Sequence, residues 1–158
     1  MNHQYTKFIN PNNYEMGFSI YGIIIYLLLM LPNIVWQIFP PINNLLLIDT
    51  VSYPILDIFE WIFRILIILF LIFLINKDKT KNKTSYIGVA IAFLAIYYIT
   101  WLLYYFGIVN PWIIILGMGI TPVFYFSFAG LWLRNYLLLI PSLIFGIVHM
   151  IISILSYL

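Results

Sequence analysis

Apolar residues run along this chain in five long blocks, and its polar residues collect in the gaps between them. The blocks are Phe18–Phe39, Pro54–Ile75, Tyr86–Phe106, Pro111–Leu133 and Tyr136–Leu155. Each is close to the roughly 20 residues a helix needs to cross about 30 Å of hydrocarbon. Lipid offers no hydrogen-bond partner to backbone amides, so each block must be helical if it spans. The pattern predicts an all-α polytopic membrane protein, a bundle of five transmembrane helices. Pro40-Pro41, the polar run Asn76–Ser85, Asn110-Pro111 and the pair Arg134-Asn135 mark the breaks. The last break is the shortest, and fusion of its flanking blocks into one kinked helix leaves four spans. Residues 1–17 read as a polar tail, and residues 18–158 as a single transmembrane domain. No small-residue cleavage motif follows the first block, so it is expected to be retained rather than removed as a signal peptide.

Composition points the same way. Hydrophobic residues make up 65% of the chain and charged residues 8%, with a mean hydropathy of +1.07. An ordinary soluble domain is roughly 45–50% apolar and about 25% charged. One core in 158 residues cannot hide so much apolar surface, whereas in lipid the outside can be as apolar as the inside. There is no cysteine, which excludes disulfides, thiolate metal sites and cysteine nucleophiles. The excess of Ile, Asn, Lys and Tyr is similar to that of proteins from AT-rich bacterial genomes, which suggests a bacterial cytoplasmic membrane.

The charges set the orientation. The loop over 76–85 carries Lys77, Lys79, Lys81 and Lys83 against Asp78, and by the positive-inside rule it is cytoplasmic. Five spans then put the N-terminus with Lys7 inside, Arg134 inside and the C-terminus outside. The outer segment "PPINNLLLIDTVSY" is expected to lie along the interface. The lysine loop is a topology signal, not a nucleic-acid site, and Asn82-Lys83-Thr84 is a glycosylation match on the wrong side. Trp36, Trp61, Trp101 and Trp112 fall toward the outer ends of their spans, and Trp132 and Tyr136 toward the inner end, as in an aromatic belt.

Chemistry is concentrated in the second block. Asp57, Glu60 and Arg64 share one helical stripe with Trp61 beside them, and Glu60 and Arg64 are spaced for direct pairing. Pro54 suits a first turn that Ser52 could cap. Glu60 and Arg64 then lie roughly 9 and 15 Å below the outer surface. A charge near the bilayer centre costs about 2.5–3.5 kcal/mol, so it should face protein or water and have a partner. The first block offers a stripe of Ser19, Gly22, Tyr26, Asn33 and Gln37, and the last a stripe of Ser142, Gly146, His149 and Ser153. Asn33 and His149 come to roughly the same depth, 9–10 Å, with Thr100 and Thr121 in the same layer. The candidate polar layer is therefore Asn33, Asp57, Glu60, Arg64, Thr100, Thr121 and His149. It serves either as interhelical glue or as a binding site.

No catalytic residue is expected. His149 has only Glu60 and Asp57 as companions for a metal, which is too few. No zinc-protease, phosphate-loop or nucleophile-elbow motif is present, so no cofactor is expected and the chain leans away from being an enzyme. Gly117 and Gly119 in "LGMGITP", ahead of Pro122, read as a flexible or closely packed stretch.

In the C-terminal half, Trp101, Tyr104, Gly107 and Pro111 form W-x-x-Y-x-x-G-x-x-x-P. Asn135, Tyr136 and Pro141 follow in N-Y-x-x-x-I-P, and Gly146 and His149 in F-G-I-x-H. This half resembles uncharacterised small multipass bacterial membrane proteins, a resemblance that implies no activity. The minimal loops and the lack of catalytic motifs favour a non-enzymatic accessory or interaction subunit. Its partners would be the lipid bilayer and a membrane protein or a second copy. The alternative is a transporter or ligand-binding bundle for protons or a small solute, using Glu60, Arg64 and His149.

Overall fold

The computed structural model describes residues 13–42, 44, 46, 53–77, 84–108 and 110–158. Among these, five helices make up nearly all of the fold: α1 (Ile20–Ile38), α2 (Pro54–Phe73), α3 (Thr84–Tyr105), α4 (Ile113–Trp132) and α5 (Tyr136–Tyr157). Four of them, α1, α3, α4 and α5, are long and apolar enough to cross a membrane. Helix α2 matches them at 20 residues but carries Asp57, Glu60 and Arg64. Residues 1–12, Ser52 and the core of the lysine loop over 78–83, with its glycosylation match, lie outside the described residues.

One feature departs from the hydropathy pattern and another decides between its two readings. Helix α2 stops at Phe73, and Leu74–Asn76 continue as a short strand, β2. It pairs antiparallel with β1 (Tyr14–Met16), Tyr14 facing Asn76 and Met16 facing Leu74. Strand β1 falls inside the 1–17 segment that reads from sequence as a polar tail. Tyr14 is buried, its hydroxyl accepts from the Tyr136 N–H at 3.2 Å, and burial pushes its phenol above the ordinary value.

The break expected at Arg134-Asn135 is present: α4 and α5 do not fuse. Arg134 adopts a left-handed backbone (φ 58°), its N–H bonds to Leu131 O at 3.1 Å, and the Asn135 N–H bonds to Gly130 O at 2.8 Å. This pair of bonds is a Schellman termination. Helix α3 ends the same way with Gly107 at φ 78°, its N–H on Tyr104 O and the Ile108 N–H on Leu103 O. There the left-handed position carries glycine, which occupies it without the Cβ clash of other residues.

Successive helices run in opposite directions. Gly22 of α1 packs on the Leu71 carbonyl of α2, so closely that no Cβ fits there. On the other faces, Phe93 of α3 stacks on Phe124 of α4 at 4.8 Å, and Gly146 of α5 meets Val123 of α4. The strand pair, the end of α2 and the α4–α5 turn gather at one pole. There the buried Asn135 amide donates to Phe70 O (2.7 Å) and Leu74 O (3.0 Å), and the Ser19 and Gly17 N–H groups bond Ile72 O and Phe73 O. Ile72 O and Phe73 O, which the helix cannot satisfy internally, are thus capped by the chain before α1, while Asn135 ties Phe70 O and the first carbonyl of β2 to the α4–α5 turn. At the opposite pole Asn44 accepts from Trp36 Nε1 and Tyr104 OH, tying the segment after α1 to α3.

The core is aromatic and aliphatic, centred on Leu29, Leu71, Tyr97, Trp101, Tyr104, Tyr125 and Ala129. Trp101 is buried, packed among Trp36, Tyr97, Tyr104 and Tyr105. It belongs to the core rather than to an interfacial belt, because α3 turns that face inward, whereas Trp61 and Trp112 are exposed. Outward faces carry Ile20, Leu27, Leu31, Ile58, Ile99, Leu116, Ile147 and Ile154 in the open, a surface suited to lipid and costly in water. Pro32 interrupts α1 and takes a donor from Leu28 O; the Tyr98 hydroxyl donates to that carbonyl instead, at 2.6 Å.

Candidate polar cavity between the helices

The i, i+4 spacing of α2 brings Glu60 and Arg64 together, and they form an ion pair. Glu60 is nearly buried, with a side chain 12% exposed against 55% for Arg64. The same carboxylate oxygen, Oε1, stands 3.3 Å from Nδ1 of His149 on α5. An ionised carboxylate only accepts, so Nδ1 is the donor and Nε2 of the neutral ring is left with a lone pair. Phe145, one turn before His149, stacks on the imidazole with centroids 5.3 Å apart, and the Arg64 guanidinium lies 5.8 Å from the Phe145 ring centroid. Arg64 and His149 are therefore each held twice, by the shared carboxylate and by one aromatic ring.

Helix α1 supplies the facing wall. Asn33 Nδ2 donates to Tyr97 OH on α3 at 2.7 Å and reaches Leu29 O at 3.4 Å. Gln37 follows one turn later. These side chains converge on a cavity of about 310 Å³, where Tyr26, Asn33, Gln37, Arg64, Tyr97 and His149 supply the nitrogen- and oxygen-bearing lining. Leu29, Met30, Ile67, Met118, Phe126 and Phe145 supply apolar wall.

Helix α4 shapes the remaining side. Its first part, Ile113–Ile120, is π-helical, and an ordinary α-helix resumes at Thr121. In a π-helix each N–H reaches five residues back, so Pro122, having no N–H, leaves Gly117 O open. The Thr121 hydroxyl donates to that carbonyl. The widened turn puts Met118 and Gly119 on the cavity wall. Gly119 leaves the His149 ring edge uncovered: a Cβ there would sit 3.5 Å from Cδ2 and 3.7 Å from Nε2.

The sequence-derived layer thus divides. Asn33, Arg64 and His149 line the cavity, and Glu60 stands behind the last two. Asp57 serves the start of α2, its carboxylate accepting from the Tyr53 N–H at 3.1 Å. Thr100 turns its hydroxyl back to Ile96 O and packs its side chain into the space left by Gly117. Thr121 is occupied at Gly117 O, so neither threonine faces the cavity. Tyr97 and the π-helical turn were not singled out from sequence, although Tyr97 shares the depth of Thr100 and Pro122 signalled a freed carbonyl. Among the described residues no three His, Asp or Glu side chains come together. Compared with protein-family models, curated proteins and solved structures, the chain matches none.

Proposed function

We propose that this chain is a five-span membrane bundle that binds a small polar solute or protons in the cavity between its helices. The supporting observation is convergence: α1, α2, α3 and α5 each send a polar side chain (Asn33 and Gln37, Arg64, Tyr97, His149) to one cavity of about 310 Å³. Glue between helices needs polar groups that satisfy one another. Here Arg64 keeps a 55% exposed side chain, and the Nε2 edge of His149 lies beside Gly119, which has no side chain to cover it, so capacity is left for something else. An accessory subunit that acts only by contact needs no such cavity, and the resemblance of the C-terminal half adds no activity to either reading.

In this proposal α2 is the fifth span, the setting is the cytoplasmic membrane of a bacterium, and the strand pole faces the cytoplasm. The cavity then lies in the outer half. Gly119→Cys tests it cleanly, since the natural chain has no cysteine. An impermeant thiol reagent added outside intact cells should modify this variant, and should leave Ile151→Cys on the outward face of α5 unmodified. Equal inertness of both positions would remove the water-accessible cavity and return the chain to the interaction-subunit reading.

A further inference from the structure

We infer that the cavity takes a small carboxylate anion together with one proton, which settles on Nε2 of His149. This rests on the cavity-binding reading above and names its substrate class. The first step is a charge count around the cavity. Arg64 is positive and Glu60 negative, and they are paired, so with His149 neutral the group sums to zero. Besides these, the titratable side chains facing the cavity are Tyr26 from α1 and Tyr97 from α3; the wall from α4 (Met118, Gly119, Pro122, Phe126) has none. An anion entering alone would add an uncompensated charge among apolar helices, which costs several kcal/mol even on lenient scales, about 2.5–3.5. A proton entering with it restores the zero sum.

The second step is hydrogen-bond polarity. Nδ1–H of His149 is committed to Glu60 at 3.3 Å, so Nε2 is the ring atom that can change state. Unprotonated, its lone pair repels a carboxylate. Protonated, it becomes a donor beside the Arg64 guanidinium, whose planar fork suits a carboxylate. Gln37 and the Tyr97 hydroxyl, which accepts from Asn33, have donors left. The apolar wall of Leu29, Met30, Met118 and Phe126 fits the hydrocarbon part of such a solute.

The test compares benzoate with its neutral counterpart benzamide on the detergent-solubilised full chain, by calorimetry from pH 5.5 to 8. Imidazoles change charge across this range. The expected result is preference for benzoate at low pH, with affinity falling by about tenfold per pH unit toward the alkaline end, as one-proton linkage requires. Benzamide should show no such slope. His149→Gln, which keeps a hydrogen-bonding side chain beside Glu60, should flatten the benzoate profile at the weak, alkaline level. Glu60→Gln leaves Arg64 uncompensated and should hold benzoate at pH 8 about as tightly as the natural chain does at pH 6. Equal, pH-independent binding of both compounds would overturn the anion-plus-proton inference and leave the cavity reading intact. Binding of neither would overturn both.

Discussion

At the scale of single residues, the bundle is organised around backbone and side-chain groups that need a partner once water is excluded. Pro32 deprives Leu28 O of its donor, and Tyr98 OH supplies one at 2.6 Å. Tyr98→Phe should therefore cost about 1 kcal/mol in thermal unfolding in detergent, the usual size of one such bond. In a Pro32→Ala background the helix donor returns and the cost of Tyr98→Phe should shrink. The same loss in both backgrounds would separate the tyrosine from the proline. The Glu60–Arg64 pair makes a sharper case. Glu60→Gln strands a cation beside His149, whereas Glu60→Gln with Arg64→Met removes both charges, and stranding one member of a buried pair is the worse change. The single variant should therefore melt lower than the double. The gap should fall below the roughly 3–5 kcal/mol of fully enclosed pairs, because Arg64 is 55% exposed and partly screened. A Glu60→Gln protein that melts like the natural one would show that the carboxylate does not stabilise the arginine.

At the scale of elements, α2 is the helix that the rest of the chain holds in place. Its C-terminal end is bonded by the Ser19 and Gly17 N–H groups at Ile72 O and Phe73 O and by the Asn135 amide at Phe70 O and at Leu74 O just beyond it, so three distant segments must meet there. Asn135→Ala removes two bonds at a residue only 1% exposed and should lower stability by roughly 2–3 kcal/mol, read by thermal unfolding. Gly88→Ala is the natural control, since a Cβ there meets nothing within 4 Å and alanine favours a helix. If the two variants behave alike, the Asn135 latch carries no weight. The helices themselves were legible in the sequence because apolar runs of spanning length have few alternatives. Asn33, Arg64 and His149 were legible as one layer because helical rise fixes depth, and Glu60 because four residues make one turn. Other features were hidden for definite reasons. The strand pair joins Tyr14–Met16 to Leu74–Asn76, a contact between residues about 60 apart that no local period encodes. A π-helix differs from an α-helix by one residue in the reach of each backbone bond, and a short apolar stretch such as Ile113–Ile120 reads the same in either. Tyr97 and Trp101 carry the aromatic signature expected at an interface, and only the packing of α1 and α4 on α3 shows that they face inward. Asp57 shared the right stripe, but its place in the first turn gave it a backbone N–H to serve instead.

At the scale of the whole molecule, everything turns on whether α2 spans. It has the length, 20 residues, and the antiparallel packing of its neighbours, yet its three charges set it apart from the four helices that are long and apolar enough. Its Glu60 is buried against His149, Asp57 sits at the start, and Arg64, though 55% exposed, lines the cavity and is paired with Glu60, so each charge has a place at the helix end or at the cavity. The outward positions Ile55, Ile58, Phe59 and Ile62 are apolar. Residue 80 can separate the two arrangements, because it lies between α2 and α3. With five spans and the lysine loop inside by the positive-inside rule, Thr6→Cys and Thr80→Cys should be protected from an impermeant thiol reagent in intact cells, and Leu158→Cys should react. If α2 instead lay along the outer surface, two of the three positions would exchange sides: Thr80→Cys would react and Leu158→Cys would be protected, with Thr6→Cys still inside. The sides of residues 6 and 80 relative to each other therefore decide the matter, whatever the absolute orientation. The same side requires α2 to cross the membrane, and with it Arg64; opposite sides would take both out of the bilayer and remove the reason for pairing Arg64 with Glu60.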